Sequence, residues 1–268
     1  MSNPFYIILG LAPGIIWLLF FLRKDVHPES NRMIVLIFLL GMVIAFPAAI
    51  LECIPIGFDQ EGGLKCFSHS FFSENFPYPL SLFLYIFLGI ALIEETIKYL
   101  VVRFKALRDP EFDEPIDAML YMIIAALGFA TIENILVLFS PGEPLSFSEA
   151  SIITTIRFIG ATFLHALCSG LIGYFLARSF LKPKQKIKFL LMGFPSAILL
   201  HGLFNISIIK IGESLIFVND RLIISDLKLF IFSLSALITI LVSLALFVLL
   251  GFRRLKKLAS ICLPELKR

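Results

Sequence analysis

The sequence predicts an all-α membrane protein, a polytopic bundle of about seven transmembrane helices. Of its 268 residues, 59% are apolar, and the mean hydropathy is +0.95, whereas soluble domains are nearer about 45–50% apolar. The apolar residues form seven runs, each long enough to cross a hydrocarbon core of about 30 Å as a helix. No stretch outside these runs is long enough for a large separate soluble domain, so we expect one membrane domain over residues 1–268.

Each candidate span is an apolar run bounded by polar or helix-breaking residues. In chain order they are Pro4–Leu22, Met33–Leu51, Pro79–Val102, Ile116–Phe139, Ser151–Phe180, Phe189–Ile209 and Leu227–Phe252. The first span has no basic residue before it, and Arg23 and Lys24 follow it, which favours a retained anchor over a signal peptide. Gly193 and Pro195 interrupt the sixth span. Such residues are tolerated in membranes where neighbours satisfy the freed backbone groups.

The basic residues predict an outside N-terminus and a cytoplasmic C-terminus. Most of the 23 basic residues follow the first, third, fifth and seventh spans. The predicted outer loop over 52–78 contains only Lys65, and the loop over 140–150 contains none. Since short cytoplasmic loops are rich in lysine and arginine, the tail over 253–268 is predicted to be a basic cytoplasmic segment that contacts anionic lipid. We expect a multi-pass protein of the cell (inner) membrane.

The four cysteines give no metal-binding pattern. Cys53 and Cys66 lie in the outer loop, where they form a disulfide if the compartment is oxidising; two free thiols are the alternative. Cys168 lies in a span and Cys262 in the tail, and neither has the spacing of a zinc motif.

The third span carries charges where a membrane helix normally has none. It contains Glu94, Glu95 and Lys98, and a charge at that depth costs at least about 2.5–3.5 kcal/mol unless it is paired. Lys98 is four residues from one glutamate and three from the other, so it can reach either on the helix surface. We expect it to hold one glutamate ionised and leave its neighbour free for proton transfer.

The fourth span contains Phe129, Glu133 and Asn134 among apolar residues. Arg157 in the fifth span lies nearer the outside and can pair with Glu133. One interpretation is a polar contact that holds helices together, and the other is a catalytic role. The sequence alone does not choose between them.

The fifth and sixth spans each carry one histidine, His165 and His201, followed four residues later by Ser169 and Asn205. Counting at about 1.5 Å per residue places both histidines and Glu94 within a few Å of one plane in the membrane. A lone buried histidine is more often structural, but two at the depth of a carboxylate predict a hydrolytic site with a base for water and donors for an oxyanion.

Four motifs occur in order, one per span: Glu-Glu-x-x-Lys (Glu94, Glu95, Lys98), Phe-x-x-x-Glu-Asn (Phe129, Glu133, Asn134), His-x-x-x-Ser (His165, Ser169) and His-x-x-x-Asn (His201, Asn205). Together they resemble the PrsW family of intramembrane proteases, within the wider group of CAAX-processing and bacteriocin-immunity proteases. The resemblance covers about residues 80–209, the expected catalytic core. It implies an intramembrane endopeptidase that performs site-1 cleavage of a membrane-bound anti-sigma factor or similar regulator.

The favoured mechanism uses no metal. Glu94 or Glu95 deprotonates a water held by His165, His201 or both, and Asn205 helps to stabilise the oxyanion. Adjacent residues are about 100° apart on a helix, so the two glutamates cannot face one water equally well. The resemblance favours Glu94 as the base, whereas the residues themselves leave the choice open.

Three alternatives remain. The same reaction can use zinc held by His165, His201 and one of Glu94, Glu95 or Glu133, with a fourth position for water, although no His-Glu-x-x-His motif is present. Intramembrane charges also occur in proton- or ion-coupled transporters, but no inverted repeat is visible. A catalytically inactive scaffold is the third. The expected partners are the lipid bilayer and a membrane-protein substrate such as a single-span anti-sigma factor. No nucleic-acid partner is expected.

Overall fold

The computed structural model describes residues 4–25, 27–58, 64–140, 144–218 and 221–257. Seven helical segments in this part are long and apolar enough to cross a membrane, and each matches one predicted span. They are Pro4–Leu22, Asn31–Glu52, Leu80–Arg108, Pro115–Phe139, Phe147–Leu181, Pro183–Glu213 and Leu227–Lys256. The prediction of a polytopic helical bundle is therefore confirmed.

The regular elements of the described residues are mostly α-helices. The helices are α1 (Pro4–Leu22), α2 (Asn31–Glu52), α3 (Phe67–Asn75), α4 (Leu80–Leu84), α5 (Leu92–Phe104), α6 (Pro115–Phe139), α7 (Phe147–Ile159), α8 (Ala161–Leu181), α9 (Lys186–Glu213) and α10 (Leu227–Lys256). Two antiparallel hairpins lie in loops, β1 (Pro55–Phe58) with β2 (Leu64–Cys66), and β3 (Leu215–Val218) with β4 (Arg221–Ile224). These short strands were not predicted, and they leave the helical class unchanged.

Two spans are less regular than the sequence predicts. The third consists of α4, a π-helix over Tyr85–Ala91, and α5. The fifth is divided into α7 and α8 at Gly160, whose φ of −93° and ψ of −95° are not helical. π-Helical turns are uncommon and occur often at functional sites. Both irregularities lie within two turns of charged or polar residues that the sequence analysis singled out.

The centre of the bundle is formed by α6 and α8. Helix α6 packs against α1, α2 and α8, and α8 also packs against α9 and α10. The acidic segment before α6 starts this helix, because Glu114 and Asp117 form a reciprocal capping box with Pro115 in the first turn. Such a box satisfies free N–H groups and places negative charge at the positive end of the helix.

Helices α2 and α6 approach each other closely in one half of their length. A Cβ atom at Gly41 would collide with the carbonyl oxygen of Ala125, and one at Gly128 with that of Phe38. Glycine at these positions therefore allows direct backbone contact, as is common between membrane helices. Beyond this contact, towards the predicted outer side, the two helices line a cavity described below.

Replacing Gly128 by alanine is expected to destabilise the protein by about 1–3 kcal/mol, because the added methyl group must push α2 and α6 apart. The measurement is the free energy of unfolding in detergent micelles. Gly212→Ala is the matched control, since no described residue beyond its own helical turn comes within 4 Å of the added Cβ. Equal stability of the two variants would contradict the close packing of α2 against α6.

The predicted outer loop is tied to α2 by a disulfide between Cys53 and Cys66, which answers the question that the sequence left open. Helix α2 continues to Glu52, so this residue belongs to the helix rather than to the loop. At the other end of the chain, α10 ends at Lys256. Residues 258–268 of the predicted basic tail lie outside the described residues.

Candidate active site

Four side chains from three spans meet inside the bundle. Glu94 and Glu95 of α5, His165 of α8 and His201 of α9 each offer one oxygen or nitrogen atom, and these atoms all lie within 4.8 Å of one another. All four residues are buried. The structure thus brings together the residues that the sequence analysis placed at one depth, and we call them the Glu–His cluster.

Lys98 lies at the centre of the Glu–His cluster and is completely buried. Its ammonium donates to Glu94 Oε2 at 3.0 Å and to Glu95 Oε1 at 2.9 Å, and its Nζ is 2.8 Å from His165 Nδ1. The expectation that Lys98 holds one glutamate and leaves the other free is wrong. An ammonium has three donors, and the i+3 and i+4 positions let it bond both carboxylates at once.

Phe129 closes the site beside Lys98. The ammonium lies 4.4 Å from the centroid of the Phe129 ring, within the range of a cation–π interaction. The same ring is 5.7 Å from the imidazole of His165. Phe129 therefore shields the ion pairs from solvent, which strengthens them.

The two glutamates have different surroundings. Glu95 accepts hydrogen bonds from Lys98 and, at 3.0 Å, from Ser169 Oγ, and its Oε1 lies 3.0 Å from His201 Nδ1. The contacts of Glu94 with the described residues all involve Oε2, which leaves Oε1 without a hydrogen bond among them. Glu95 is thus held in place by its neighbours, whereas Glu94 has an oxygen available to a water or a substrate.

Each histidine is oriented by a carboxylate. His165 Nε2 lies 2.7 Å from Glu133 Oε2, so this nitrogen carries the hydrogen and Nδ1 accepts from Lys98. His201 Nδ1 bonds Glu95, which leaves Nε2 to face Glu94 Oε2 across 3.8 Å. The two rings meet edge to face with centroids 5.0 Å apart. A gap of 3.8 Å between polar atoms is one that a water can bridge.

Glu133 connects the Glu–His cluster to Arg157 near the break between α7 and α8. Their closest atoms, Glu133 Oε2 and Arg157 Nη2, are 3.4 Å apart, which confirms the pairing considered from the sequence. Asn134 does not reach the cluster. It accepts from Arg157 Nε at 2.6 Å and donates to Thr162 Oγ1 at 2.9 Å, so it connects α6 to α7 and α8.

Asn205 lies one turn after His201 on α9 and is half-buried. Within the described part of the chain, no hydrogen bond joins its side chain to the Glu–His cluster. Its amide is therefore free to donate to a substrate, but the structure does not place it among the converging atoms.

Two polar residues near the site were not singled out from the sequence. Thr162 partners Asn134, and Glu52 lines a cavity together with Glu133 and Arg157. Glu52 stands at the end of an apolar run, where a carboxylate normally marks the membrane surface. Only the packing of α2 against α6 reveals that it faces the interior.

The chemistry of the cluster suits a cation as well as a base. Two imidazoles and two carboxylates are an ordinary donor set for zinc. In each histidine one nitrogen bonds a carboxylate and the other faces Glu94, at 3.5 Å for His165 Nδ1 and 3.8 Å for His201 Nε2. Carboxylate-bound histidines of this kind are typical of metal sites. The residues therefore fit a zinc ion once the Lys98 ammonium moves from His165.

Comparisons with known proteins agree on one family. A family model described as PrsW family intramembrane metalloprotease matches residues 29–250, which extends the resemblance beyond residues 80–209 to include α2 and most of α10. A protein named Protease PrsW from Oceanobacillus iheyensis is 30% identical over 196 residues, covering 73% of this chain and 79% of that protein. Another Protease PrsW, from Bacillus subtilis, is 29% identical over 198 residues, with the same coverage of both chains. No solved structure gives a significant match.

Proposed function

The chain belongs to the PrsW family of intramembrane proteases, and we propose that its Glu–His cluster is where the peptide bond is hydrolysed. Membership of the family makes the protein a membrane-embedded peptidase and argues against the transporter interpretation. The observation that carries the site assignment is the convergence of Glu94, Glu95, His165 and His201 within 4.8 Å.

In the proposed reaction, Glu94 is the general base. A water between Glu94 and His201 Nε2 donates one hydrogen to each, because His201 presents a lone pair there while its other nitrogen bonds Glu95. Glu94 takes one proton as the water oxygen attacks the scissile carbonyl carbon. The protonated Glu94 then gives this proton to the leaving amine, so it acts first as base and then as acid.

The negative charge that develops on the carbonyl oxygen needs donors. The Lys98 ammonium already lies within 3.0 Å of Glu94, and the Asn205 amide is one turn from His201 and unoccupied by the described residues. We propose that the Asn205 amide donates to the oxyanion, while Lys98 contributes its positive charge nearby, because its three hydrogens are directed to Glu94, Glu95 and His165. Glu95, Ser169 and Glu133 are positioning residues: Glu95 bonds His201, Ser169 donates to Glu95, and Glu133 pairs with His165.

A zinc-dependent form of this hydrolysis is the second candidate, favoured by the carboxylate-bound histidines and by the description of the matching family. His165, His201 and Glu94 would hold the ion, with Glu95 or Glu133 as neighbouring carboxylates. When bound, zinc acidifies a water and polarises a carbonyl. The metal-free form is our first choice, because Lys98 already supplies a cation to both glutamates.

We propose as substrate a single-span membrane protein, such as an anti-sigma factor, cut near the predicted outer end of its helix. The family resemblance supports this class of substrate, and the depth of the Glu–His cluster suits a bond within or next to the membrane. The multi-pass chain would act in the cell membrane, with the bilayer itself as its other partner.

Metal content distinguishes the two forms of the reaction. For protein purified without added metal and reconstituted in proteoliposomes, we expect less than about 0.1 zinc per chain and undiminished cleavage of a single-span substrate in chelator, because Lys98 neutralises the carboxylates. Elemental analysis measures the zinc content, and a gel-based assay measures the cleavage of the substrate. Stoichiometric zinc that disappears in His201→Ala, together with loss of cleavage in chelator, would establish the zinc form instead.

A further inference from the structure

A second feature next to the Glu–His cluster is a cavity of about 180 Å³ between α2 and α6. Ala45, Ala49 and Glu52 line it from α2, and Phe129 and Glu133 line it from α6. The cavity exists because the close contact of the two helices at Gly41 and Gly128 ends there, and because alanine side chains are too short to fill the space. A cavity of about 150 Å³ can hold a benzene-sized molecule, so this one has room for a single long side chain.

The carboxylate of Glu52 lines this cavity, and one of its oxygens has no partner among the described residues. Its Oε1 is buried and has no hydrogen bond within the described part of the chain. A buried polar atom of this kind normally has a partner, and leaving it without one costs about 1–3 kcal/mol or more if it is charged. The occupant that satisfies Glu52 must therefore be a hydrogen-bond donor.

The charge of the lining favours a cationic donor. Two acidic side chains, Glu52 and Glu133, and one basic side chain, Arg157, line the cavity, so acidic groups outnumber basic ones there. Arg157 is already engaged by Glu133 at 3.4 Å and by the Asn134 side chain at 2.6 Å. Among the described residues Arg157 therefore pairs with Glu133, and no ion pair joins it to Glu52.

The cavity is also lined by two residues, Glu133 and Phe129, that contact His165 and Lys98 on their other side. Glu133 lines it and bonds His165 at 2.7 Å, and Phe129 forms another part of its wall while its ring contacts the Lys98 ammonium. A group lodged against Glu52 is thus separated from the Glu–His cluster by the thickness of one side chain. In an extended substrate, such a group belongs to a residue close to the scissile bond.

We propose that this cavity is a specificity subsite that receives a lysine or arginine side chain of the substrate, with Glu52 as its counter-ion. That the occupant belongs to a substrate rests on the proposed function. The preference of the cavity for a cationic group does not depend on it. A basic side chain brings the donor that Glu52 lacks, and its apolar stem packs against Ala45 and Phe129.

The charge preference is tested without any proteolysis. In a Cys262→Ser background, Ala49→Cys places a thiol in the lining of the cavity. This thiol is modified with a cationic reagent, the ethylammonium methanethiosulfonate, and with an anionic one, the ethylsulfonate methanethiosulfonate. Each rate is divided by the rate of the same reagent with a free thiol in solution. We expect the cationic reagent to be favoured at least roughly tenfold, and Glu52→Gln to remove most of that preference. Glu213→Gln is the control, because this carboxylate pairs with Lys210 at the end of α9. No reaction at all, or a preference that Glu52→Gln leaves unchanged, would overturn the proposal.

The substrate preference is tested with a library of single-span model peptides whose predicted outer flank is randomised, co-reconstituted with the protein and read by mass spectrometry. Wild type is expected to favour lysine or arginine at one fixed position from the cut by roughly tenfold, Glu52→Gln to lose this preference, and Glu52→Lys to favour aspartate or glutamate there. If the wild-type protein cleaved the peptides without favouring lysine or arginine at any position, the proposal that the cavity is a specificity subsite would be overturned. If wild type cleaved no peptide, the proposed function would be contradicted, while the thiol rates would still decide the charge of the cavity.

Discussion

Replacing Glu94 by glutamine is expected to reduce peptide-bond cleavage by about 10²–10⁴-fold, the usual contribution of a positioned general base. Glutamine keeps the shape of the side chain but cannot accept a proton from water. We propose Glu94 rather than Glu95 as the base, because Glu95 is occupied by Lys98, Ser169 and His201. Initial rates on a single-span substrate in proteoliposomes measure the effect.

Two comparison variants make this prediction specific. Glu213→Gln removes an equally charged residue at the surface and should leave the rate unchanged. Glu95→Gln should reduce the rate through misplacement of His201, so its loss is expected to be smaller than that of Glu94→Gln. A Glu95→Gln variant that is less active than Glu94→Gln would reverse the two assignments, and full activity in both would refute the mechanism.

Replacing Lys98 by methionine is expected to destabilise the protein by about 3–5 kcal/mol, the cost of removing one partner from a buried ion pair. Glu94 and Glu95 would then face each other in the interior without a compensating cation. Methionine fills a volume similar to that of lysine. The loss of stability therefore measures the removal of the charge rather than a change in packing. Unfolding in detergent micelles gives the free energy.

Lys210→Met is the matched control, since its pair with Glu213 is partly exposed and such surface pairs contribute only about 0–1 kcal/mol. Combining Lys98→Met with Glu94→Gln and Glu95→Gln should recover much of the stability, because the buried charges are then gone. A Lys98→Met variant as stable as Lys210→Met would show that the lysine does not neutralise the pair.

Most of the fold and the core of the site could be predicted from the sequence, because both depend on regular helices. The length of each apolar run gave the seven spans, and a constant rise per residue placed His165 and His201 at the depth of Glu94. Helical spacing likewise predicted that Lys98 reaches the glutamates. These inferences need only local geometry, and the surrounding structure does not change it.

The remaining features depend on how the helices pack. The π-helix before α5 and the break at Gly160 have no reliable local pattern, since glycine is common in membrane helices. Asn134 has the spacing of a motif residue but bonds Thr162 and Arg157, because its side chain leaves α6 on another face than Glu133. Glu52 was predicted to lie in the outer loop, whereas in the structure it ends α2 and lines the cavity between α2 and α6.

The β3–β4 hairpin, by contrast, could have been predicted from the sequence. The segment over 215–224 has two short apolar runs separated by Asn219 and Asp220, which is a typical hairpin pattern. The predicted spans leave this segment as the connection between Ile209 and Leu227, with no strand assigned to it. Strands β3 and β4 pair across this segment.

The most direct test of the central claim is a comparison of newly formed protein N-termini in membranes that contain either the active chain or the variant with Glu94→Gln and Glu95→Gln together. We expect a small set of single-span proteins to be cut near one end of their helix in the presence of the active chain only. Identical sets of N-termini in both membranes would contradict the claim that these buried carboxylates carry out proteolysis.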